Sequence, residues 1–184
     1  MSRSLPGHVI LGPRISQRGL EKPTPVAGVV LTTLGYLWQR QQLRLTNFAV
    51  TVAAANDFGS AKVCDLPDTN FLLLGVVVDL TSTMTGFTSN AGSAVDLALG
   101  TVATASTGFT NAGEDDILQK IDGAGAGSPG TVKGASSAAL ANQFLVAGAR
   151  ELFVNIADPV TASTGTVTLS GTIELVYGLL GEPG

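Results

Sequence analysis

The strongest structural signal in this sequence is a long segment near its C-terminal end in which apolar and polar residues alternate one by one. The apolar set, with a glycine in the same register, comprises Val167, Leu169, Gly171, Ile173, Leu175 and Tyr177. The polar set comprises Thr166, Thr168, Ser170, Thr172 and Glu174. A period of two places successive side chains on opposite faces of a β-strand. The segment therefore predicts a strand with one face on a core and one hydroxyl-rich face directed outward.

A second alternating segment, residues 152–157, precedes the first and predicts its partner strand. Asp158-Pro159 ends this strand, because proline cannot donate a hydrogen bond to a central ladder. Residues 161–165 (TASTG) supply the small and polar side chains that are typical of turns. The two segments therefore predict a β-hairpin with a long loop, which closes a mostly antiparallel β protein.

Other strand-like segments recur along the chain, roughly every 8 to 15 residues, with turn-forming residues between them. They lie at residues 47–53, 61–66, 71–81 and 93–105. The segment 71–81 (FLLLGVVVDLT) is almost entirely apolar, which predicts a strand buried on both faces. Residues 114–122 fit either one helical turn or a short strand, and residues 136–147 fit either a helix or a strand. The Gly-, Ala- and Ser-rich segment 123–134 predicts an exposed, mobile loop.

The first part of the chain has a different composition, with prolines and glycines spread through it. Its prolines are Pro6, Pro13, Pro23 and Pro25. These exclude a helix and a central strand around them. We therefore expect an extended, basic N-terminal arm over residues 1–44 and a β domain over residues 45–184. About eight strands with regular turn signals favour an all-β fold, namely an antiparallel β-sandwich of jelly-roll-like form.

Charge divides the chain in the same way. Residues 1–44 contain six basic residues against Glu21 alone, a balance of +5. The remaining residues contain four basic and thirteen acidic side chains, a balance of −9, so the net charge is −4. A cationic arm beside an acidic body predicts that the arm lies on an acidic surface, such as that of a partner. The basic residues are too sparse for a nucleic-acid arm, and we expect no nucleic-acid partner.

We assign partner contact to basic and aromatic residues of the arm. They are Arg3, Arg14, Arg18, Lys22, Tyr36, Trp38, Arg40 and Arg44. For Tyr36 and Trp38, packing in the core of the domain is an equally good interpretation. Charged residues make up only 13% of the chain, about half the usual share. This low charge fits either a surface that neighbouring proteins cover or a plain β domain with a Thr-rich surface.

Residue types needed for catalysis and for metal binding are scarce. His8 is the only histidine and Cys64 the only cysteine. A Ser-His-Asp or Cys-His site would therefore depend on the arm, a zinc site lacks ligands, and an intrachain disulfide is excluded. Residues 125–130 match G-x-G-x-x-G in form, but Pro129 argues against the helix that a dinucleotide site needs. We therefore expect no enzymatic activity, no cofactor, and no catalytic or metal-ligating residues.

The densest acidic cluster is Glu114-Asp115-Asp116. Clustered carboxylates are suitable ligands for Ca²⁺, but no EF-hand spacing is present. The cluster is thus compatible with a calcium-binding turn and with a solvated turn, and the sequence leaves both open.

Apolar runs and the first residues of the chain bear on its location. The longest apolar run, residues 71–78, is far shorter than the ~20 residues of a membrane-spanning helix. The first residues lack the charged and then apolar layout of a signal peptide. A single thiol fits assembly in a reducing cytosol. We therefore expect no membrane partner and no export through a secretory pathway.

Several segments resemble small structural proteins of tailed bacteriophages, which are often encoded beside the major capsid protein. The resemblance is carried by the closing hairpin (152–157, LFVNIA, and 165–177, GTVTLSGTIELVY), by Leu66-Pro67 followed by the Val-rich segment 74–79, and by Gly100-Thr101 at a strand end. It covers roughly residues 45–180, and the proline-rich arm does not share it.

The resemblance implies a jelly-roll-like capsid decoration, or cement, protein. Such a protein binds the major capsid protein on the outside of the virion, stabilises contacts between capsomers, commonly forms trimers and is assembled in the host cytoplasm. An alternative is a head-fibre base or a receptor- or carbohydrate-binding β-sandwich at the particle surface. A hydrolase on a jelly roll is a third interpretation, which the single histidine disfavours.

Overall fold

The computed structural model describes residues 24–33, 39–53, 57–67, 71–87, 94–125, 130–135, 143–145, 150–157 and 164–179. All regular elements in these ranges are β-strands. In chain order they are β1 (Thr24–Pro25), β2 (Val29–Thr33), β3 (Gln39–Val52), β4 (Phe58–Asp65), β5 (Phe71–Thr85), β6 (Ala94–Gly100), β7 (Leu118–Gly125), β8 (Gly130–Ala135), β9 (Gln143–Leu145), β10 (Glu151–Ala157) and β11 (Gly165–Leu179). Nowhere in these ranges is there a helix long and apolar enough to cross a membrane.

The strands form two antiparallel sheets that pack into a β-sandwich, which confirms the predicted fold class. Sheet A has the order β1-β4-β10-β6-β7, and sheet B has the order β2-β3-β11-β5-β8, with β9 paired beside β8 on β5. The connections β3–β4, β5–β6 and β10–β11 each pass from one sheet to the other. Neighbours in a sheet are therefore mostly distant in sequence, as in sandwiches of Greek-key type.

The core lies between the sheets and is formed by the inward face of each strand. On β11 the predicted alternation is confirmed, because all five large apolar residues of that set are buried. Their counterparts on sheet A include Val154 and Ile156 of β10, which are fully buried. A β-bulge between Leu169 and Gly171 interrupts the pairing of β11 with β3. Gly171 has a φ of +138° and lies against the backbone of β5, so a side chain at this position would be strained and would clash.

The central strand of sheet B differs from its sequence-based prediction. The segment 71–81 lies within β5, but it is buried on one face only. Val76, Val78 and Leu80 point into the core, whereas Val77 between them is 49% exposed. The prediction of burial on both faces is wrong, because an apolar run reports hydrophobicity and cannot report whether a second layer covers the outer face.

Three other predicted segments are changed in the structure. The strand expected at 93–105 is β6, which ends at Gly100 and leaves Val102 exposed. Residues 114–117 form bends, and β7 begins at Leu118. The prediction of a loop at 123–134 is wrong for the described residues 123–125 and 130–134, which belong to β7 and β8. Gly134 packs closely on Ile121, which leaves little room for a larger residue at this position.

The boundary that we expected after residue 44 falls inside β3. This strand pairs with β11 from Gln39 opposite Tyr177 to Val52 opposite Gly165, without a break at the boundary. Before it, β1 pairs with β4 and β2 pairs with β3. The reason is that the side chains of Gln39, Gln41 and Leu43 already alternate into the core. Residues 1–23 of the expected arm lie outside the described residues.

Candidate interaction surfaces

The outer face of sheet B is a broad, exposed surface rich in hydroxyl groups. We define it by the outward residues of four strands. They are Val30, Arg40, Gln42, Arg44, Thr46, Ala49, Thr51, Val77, Asp79, Thr81, Thr83, Thr85, Thr166, Thr168, Ser170, Thr172, Glu174 and Val176. On β2, β3 and β5 these outward residues are exposed, except Gln42, which is half-buried. On β11 they are half-buried by the neighbouring strands. β-branched threonine suits a pleated surface, so this composition also favours the strands themselves.

The strand register arranges these residues in rows across the sheet. Thr166 of β11 lies between Thr51 of β3 and Thr85 of β5, and the next row places Thr168 between Ala49 and Thr83. A further row pairs Ser170 with Thr81. No described residue in this half of the face carries a charge. It presents methyl and hydroxyl groups in a regular array.

The other half of the outer face of sheet B carries charges and apolar side chains. One row places Thr172 between Arg44 and Asp79. Asp79 forms an exposed ion pair with Lys133 of β8 at 3.4 Å. In the neighbouring rows the Arg40 Nε donates to Glu174 Oε1 at 2.6 Å. Arg44 makes no ion pair within the described residues.

Two of the residues that we assigned to partner contact lie on this face. Arg40 and Arg44 are exposed outward positions of β3, with Gln42 between them. The others, which are Arg3, Arg14, Arg18, Lys22, Tyr36 and Trp38, lie outside the described residues. The structure thus brings together two of the assigned cations on a sheet, where the sequence predicted an arm.

The outer face of sheet A is organised differently, because residues 101–117 fold back over it. We call this segment the covering loop. Beneath it, Ala98 of β6 and Ala157 of β10 are fully buried although they point away from the core. Phe109 of the loop packs on them with Phe58, and Phe109 has a φ of +50°. Gly100 touches the loop backbone at Gly113 and Glu114 so closely that no side chain fits there.

Asn155 is the anchor of the covering loop on the sheet. It is an outward residue of β10, and yet it is 0% exposed. Its Nδ2 donates to the carbonyl oxygens of Val102 at 2.9 Å and Glu114 at 2.6 Å. Its Oδ1 accepts hydrogen bonds from Ser60 Oγ at 2.7 Å and from the Thr104 N–H at 3.1 Å. One amide thus satisfies polar groups from sheet and loop, as buried polar groups require.

Glu114 holds the covering loop together from inside. Its buried carboxylate accepts hydrogen bonds from the Ala105 N–H, from the N–H and Nδ2 of Asn111 at 3.0 and 2.9 Å, and from Ser106 Oγ at 3.0 Å. Burial by itself would raise the pKa of the Glu114 carboxyl, but these hydrogen bonds together hold the pKa below its usual value. The ionised form therefore stabilises the loop.

The two neighbouring acids have other surroundings. Asp116 accepts hydrogen bonds from the Thr101 N–H at 2.8 Å and from Thr101 Oγ1 at 2.6 Å, and burial raises its pKa despite them. Burial, with repulsion from Asp116 and Glu114, also raises the pKa of Asp115. The described residues hold no group of three or more His, Cys, Asp or Glu side chains placed to bind a metal ion.

A polar cluster lies inside the sandwich, where the start of β3 pairs with the C-terminal end of β11. Gln39 and Gln41 are buried beside Tyr177, and Gln41 Nε2 donates to Gln39 Oε1 at 3.4 Å. Burial raises the pKa of the Tyr177 hydroxyl, against a hydrogen bond with Gln41. Burial also raises the pKa of the Cys64 thiol to about 12. A thiol that stays protonated is a poor nucleophile and metal ligand, so Cys64 serves packing.

The sequence reasoning missed Asn155 and Glu114. Asn155 occupies an outward position of an alternating segment, where a polar residue is interpreted as solvated. In the sequence, Glu114 stands out only as part of the acidic cluster 114–116. The single signal for either was the length of the polar segment between β6 and β7, which exceeds an ordinary turn.

Comparison with known proteins identifies no relative. No family model, no curated protein and no solved structure matches this chain. The features of the chain that bear on its function are its two outer faces and its charge distribution.

Proposed function

We propose that this protein is a virion structural protein, a capsid decoration protein that binds the major capsid protein on the outer surface of the shell and stabilises contacts between capsomers. The observation that carries the proposal is the outer face of sheet B. It is broad and regular, half of it carries no charge, and its side chains remain accessible. Charge depletion with retained arginine is typical of surfaces that proteins cover.

Adhesion is the mechanism that we propose, and two features of the chain support it. First, among the described residues of the body, the fully buried carboxylate of Glu114 and the buried thiol of Cys64 each have a structural role. Second, the charge distribution provides a cationic segment. The basic residues Arg3, Arg14, Arg18 and Lys22 precede β1, and we assign them to an acidic surface of the shell. Many copies on one particle, as homo-oligomers for which the phage resemblance favours trimers, make individually weak contacts additive.

Co-sedimentation of the full-length protein with purified phage shells tests this proposal. The wild-type protein is expected to sediment with shells at a fixed copy number and to detach as salt is raised, because exposed charges are screened. A variant with Arg3, Arg14, Arg18 and Lys22 all changed to Gln is expected to lose binding. The matched control changes two cations of sheet A, Lys62→Gln and Lys120→Gln, and should bind normally.

Two outcomes would contradict parts of the proposal. Full binding by the four-fold Gln variant would remove the role of the basic residues before β1. Absence of wild-type binding to any shell, at low salt and high protein concentration, would remove the decoration function itself.

A second candidate is glycan or receptor recognition at a particle surface, and the covering loop favours it. Its internal hydrogen bonds order the segment, while Thr107, Thr110 and Asn111 remain exposed. Ordered polar loops on a rigid scaffold are common recognition sites. Binding on a glycan array that is lost in a Thr107→Ala, Thr110→Ala double variant would support this function over decoration.

A further inference from the structure

We infer that the outer face of sheet B packs on the same face of a second copy. The two copies are related by a two-fold axis that lies between the faces, parallel to β11. This inference deepens the proposed function: it rests on that face being covered by protein on the particle and names a second copy as the covering partner, which leaves the basic residues before β1 to bind the shell.

The order of sheet B provides the symmetry. Strand β11 is central, with β3 and then β2 on one side and β5 and then β8 on the other. A two-fold axis in the plane between two such faces, parallel to β11, places β3 of one copy over β5 of the second. It also leaves each residue of a row at the same height, so that rows face rows. Every contact then occurs twice, as in all isologous interfaces.

The charges of the central row match under this operation. Arg44 and Asp79 are at equal distances on either side of Thr172. Arg44 of one copy therefore faces Asp79 of the second, and Asp79 faces Arg44. Within one copy these two side chains are separated by β11, about 9.5 Å from strand to strand. Arg44 has no ion pair among the described residues, and Asp79 has only the exposed contact with Lys133.

The remaining rows are compatible with this packing. In the uncharged half, Thr51 faces Thr85 and Thr168 faces its own counterpart, so methyl groups pack and hydroxyls can pair. In the next row, Gln42 faces Val77. Glu174 lies on the axis and faces a second Glu174, which would be unfavourable for free carboxylates. Each Glu174 is already neutralised by its own Arg40 at 2.6 Å and is only 16% exposed.

The area is sufficient for a stable pair. The ladder between β11 and β3 runs from Gly165 to Tyr177, which at roughly 3.4 Å per residue is about 40 Å. The strands β3, β11 and β5 share this length, and β2 and β8 add five and six residues at the sides. At a strand spacing of about 4.8 Å the face therefore covers on the order of 750 Å² per copy. Stable protein interfaces bury about 800 Å² on each partner, and sheets pack face to face with aligned strands.

Charge reversal in the full-length protein tests the inference. The variants are Arg44→Glu, Asp79→Arg and the double variant, studied by sedimentation velocity across a range of concentrations. The wild-type protein is expected to form a dimer or a higher even-numbered assembly, such as a hexamer in which the trimers of the proposed function pair through this face. Each single variant opposes like charges twice per pair and should weaken association at least about tenfold. The double variant restores opposite charges and should recover association.

Controls separate folding and function from self-association. Gln119, an exposed residue of β7 on sheet A, changed to Glu should leave association unchanged. At a protein concentration below that of self-association, thermal unfolding of the single variants should match the wild type, because both residues are exposed. A wild-type monomer or a lone trimer, or a double variant that stays dissociated, would overturn the inference. Shell binding is measured separately: binding without even-numbered association removes only this inference, and association without shell binding removes only the decoration function.

Discussion

The two outer faces of this sandwich have similar strand surfaces, but the chain covers one of them and leaves the other accessible. Both begin as the outward side of antiparallel strands with small and polar residues. On sheet A, the covering loop lies over the face and buries Asn155, Ala98 and Ala157. On sheet B, the hydroxyl-bearing rows remain accessible. The difference teaches that outward polar residues have a structural role where the chain itself covers them, and are available for partners where it does not.

The hydrogen-bond chemistry of the two faces follows from this difference. Beneath the covering loop, Asn155 and Glu114 are shielded from water and make their hydrogen bonds to protein groups. On the outer face of sheet B, the hydroxyls of residues such as Thr83 and Thr168 can bond to water. Removing a side chain should therefore be costly on sheet A and nearly neutral on sheet B.

The largest effect is expected for Asn155→Ala. The substitution leaves two carbonyl oxygens and the Ser60 hydroxyl without their common partner in a buried site, while the Thr104 N–H keeps Ser60 Oγ as an acceptor at 2.8 Å. We expect a loss of about 4 kcal/mol in the free energy of unfolding, measured by chemical denaturation, because each unsatisfied buried group costs roughly 1–3 kcal/mol. A loss below about 1 kcal/mol would mean that the covering loop is not anchored through this amide.

A somewhat smaller effect is expected for Phe109→Ala, which removes the ring that packs on Ala98 and Ala157. Truncation of a buried phenylalanine costs about 3 kcal/mol. Phe109→Leu is the matched control and should cost less than half as much. If both variants were as stable as the wild type, the loop would cover sheet A without contributing to its stability.

Acid titration should reveal the role of Glu114 in the covering loop. Its pKa is lowered in the folded protein, so its carboxylate adds stability above its unfolded pKa, and this contribution is lost as the pH falls through the folded pKa. Asp115 and Asp116, whose pKa values are raised, act in the opposite direction.

The difference between wild type and Glu114→Gln isolates the contribution of Glu114. We expect the variant to be less stable by about 2 kcal/mol at pH 7, because an amide NH₂ replaces an acceptor among several donors. Denaturation series at several pH values should show this gap closing as the pH falls below the usual pKa of a glutamate carboxyl. A gap that is constant with pH would show that the ionised carboxylate has no special role.

The smallest effect is expected for Thr168→Ala on the outer face of sheet B. Because Thr168 remains accessible to water, its loss should change the free energy of unfolding by less than about 1 kcal/mol, within the range of β-propensity. The measurement is denaturation at a protein concentration below that of self-association. A loss as large as that of Asn155→Ala would show that this face is covered within a single copy, and the contrast between the faces would then fail.

The sequence predicted the strands better than their surroundings. The alternation in β11 is a local property, since a period of two in the chain becomes two faces of one strand. The same reasoning failed for β5, where Val77 is exposed although its neighbours are apolar. It also failed for residues 130–134, which form part of β8 where a loop was predicted. There, Gly134 permits close packing of the strand on Ile121. Both errors concern what lies beside a strand.

By itself, the sequence determined that this protein is an all-β sandwich and that β11 has one buried and one hydroxyl-rich face. Periodicity, turn residues and prolines act over a few residues, so they can be interpreted without the fold. Only the tertiary structure decided which outer face is covered, that Asn155 and Glu114 are buried, and that Arg44 and Asp79 lie on either side of Thr172. These relations join residues that are far apart in the chain, and only long-range strand pairing and the packing of the covering loop bring them together.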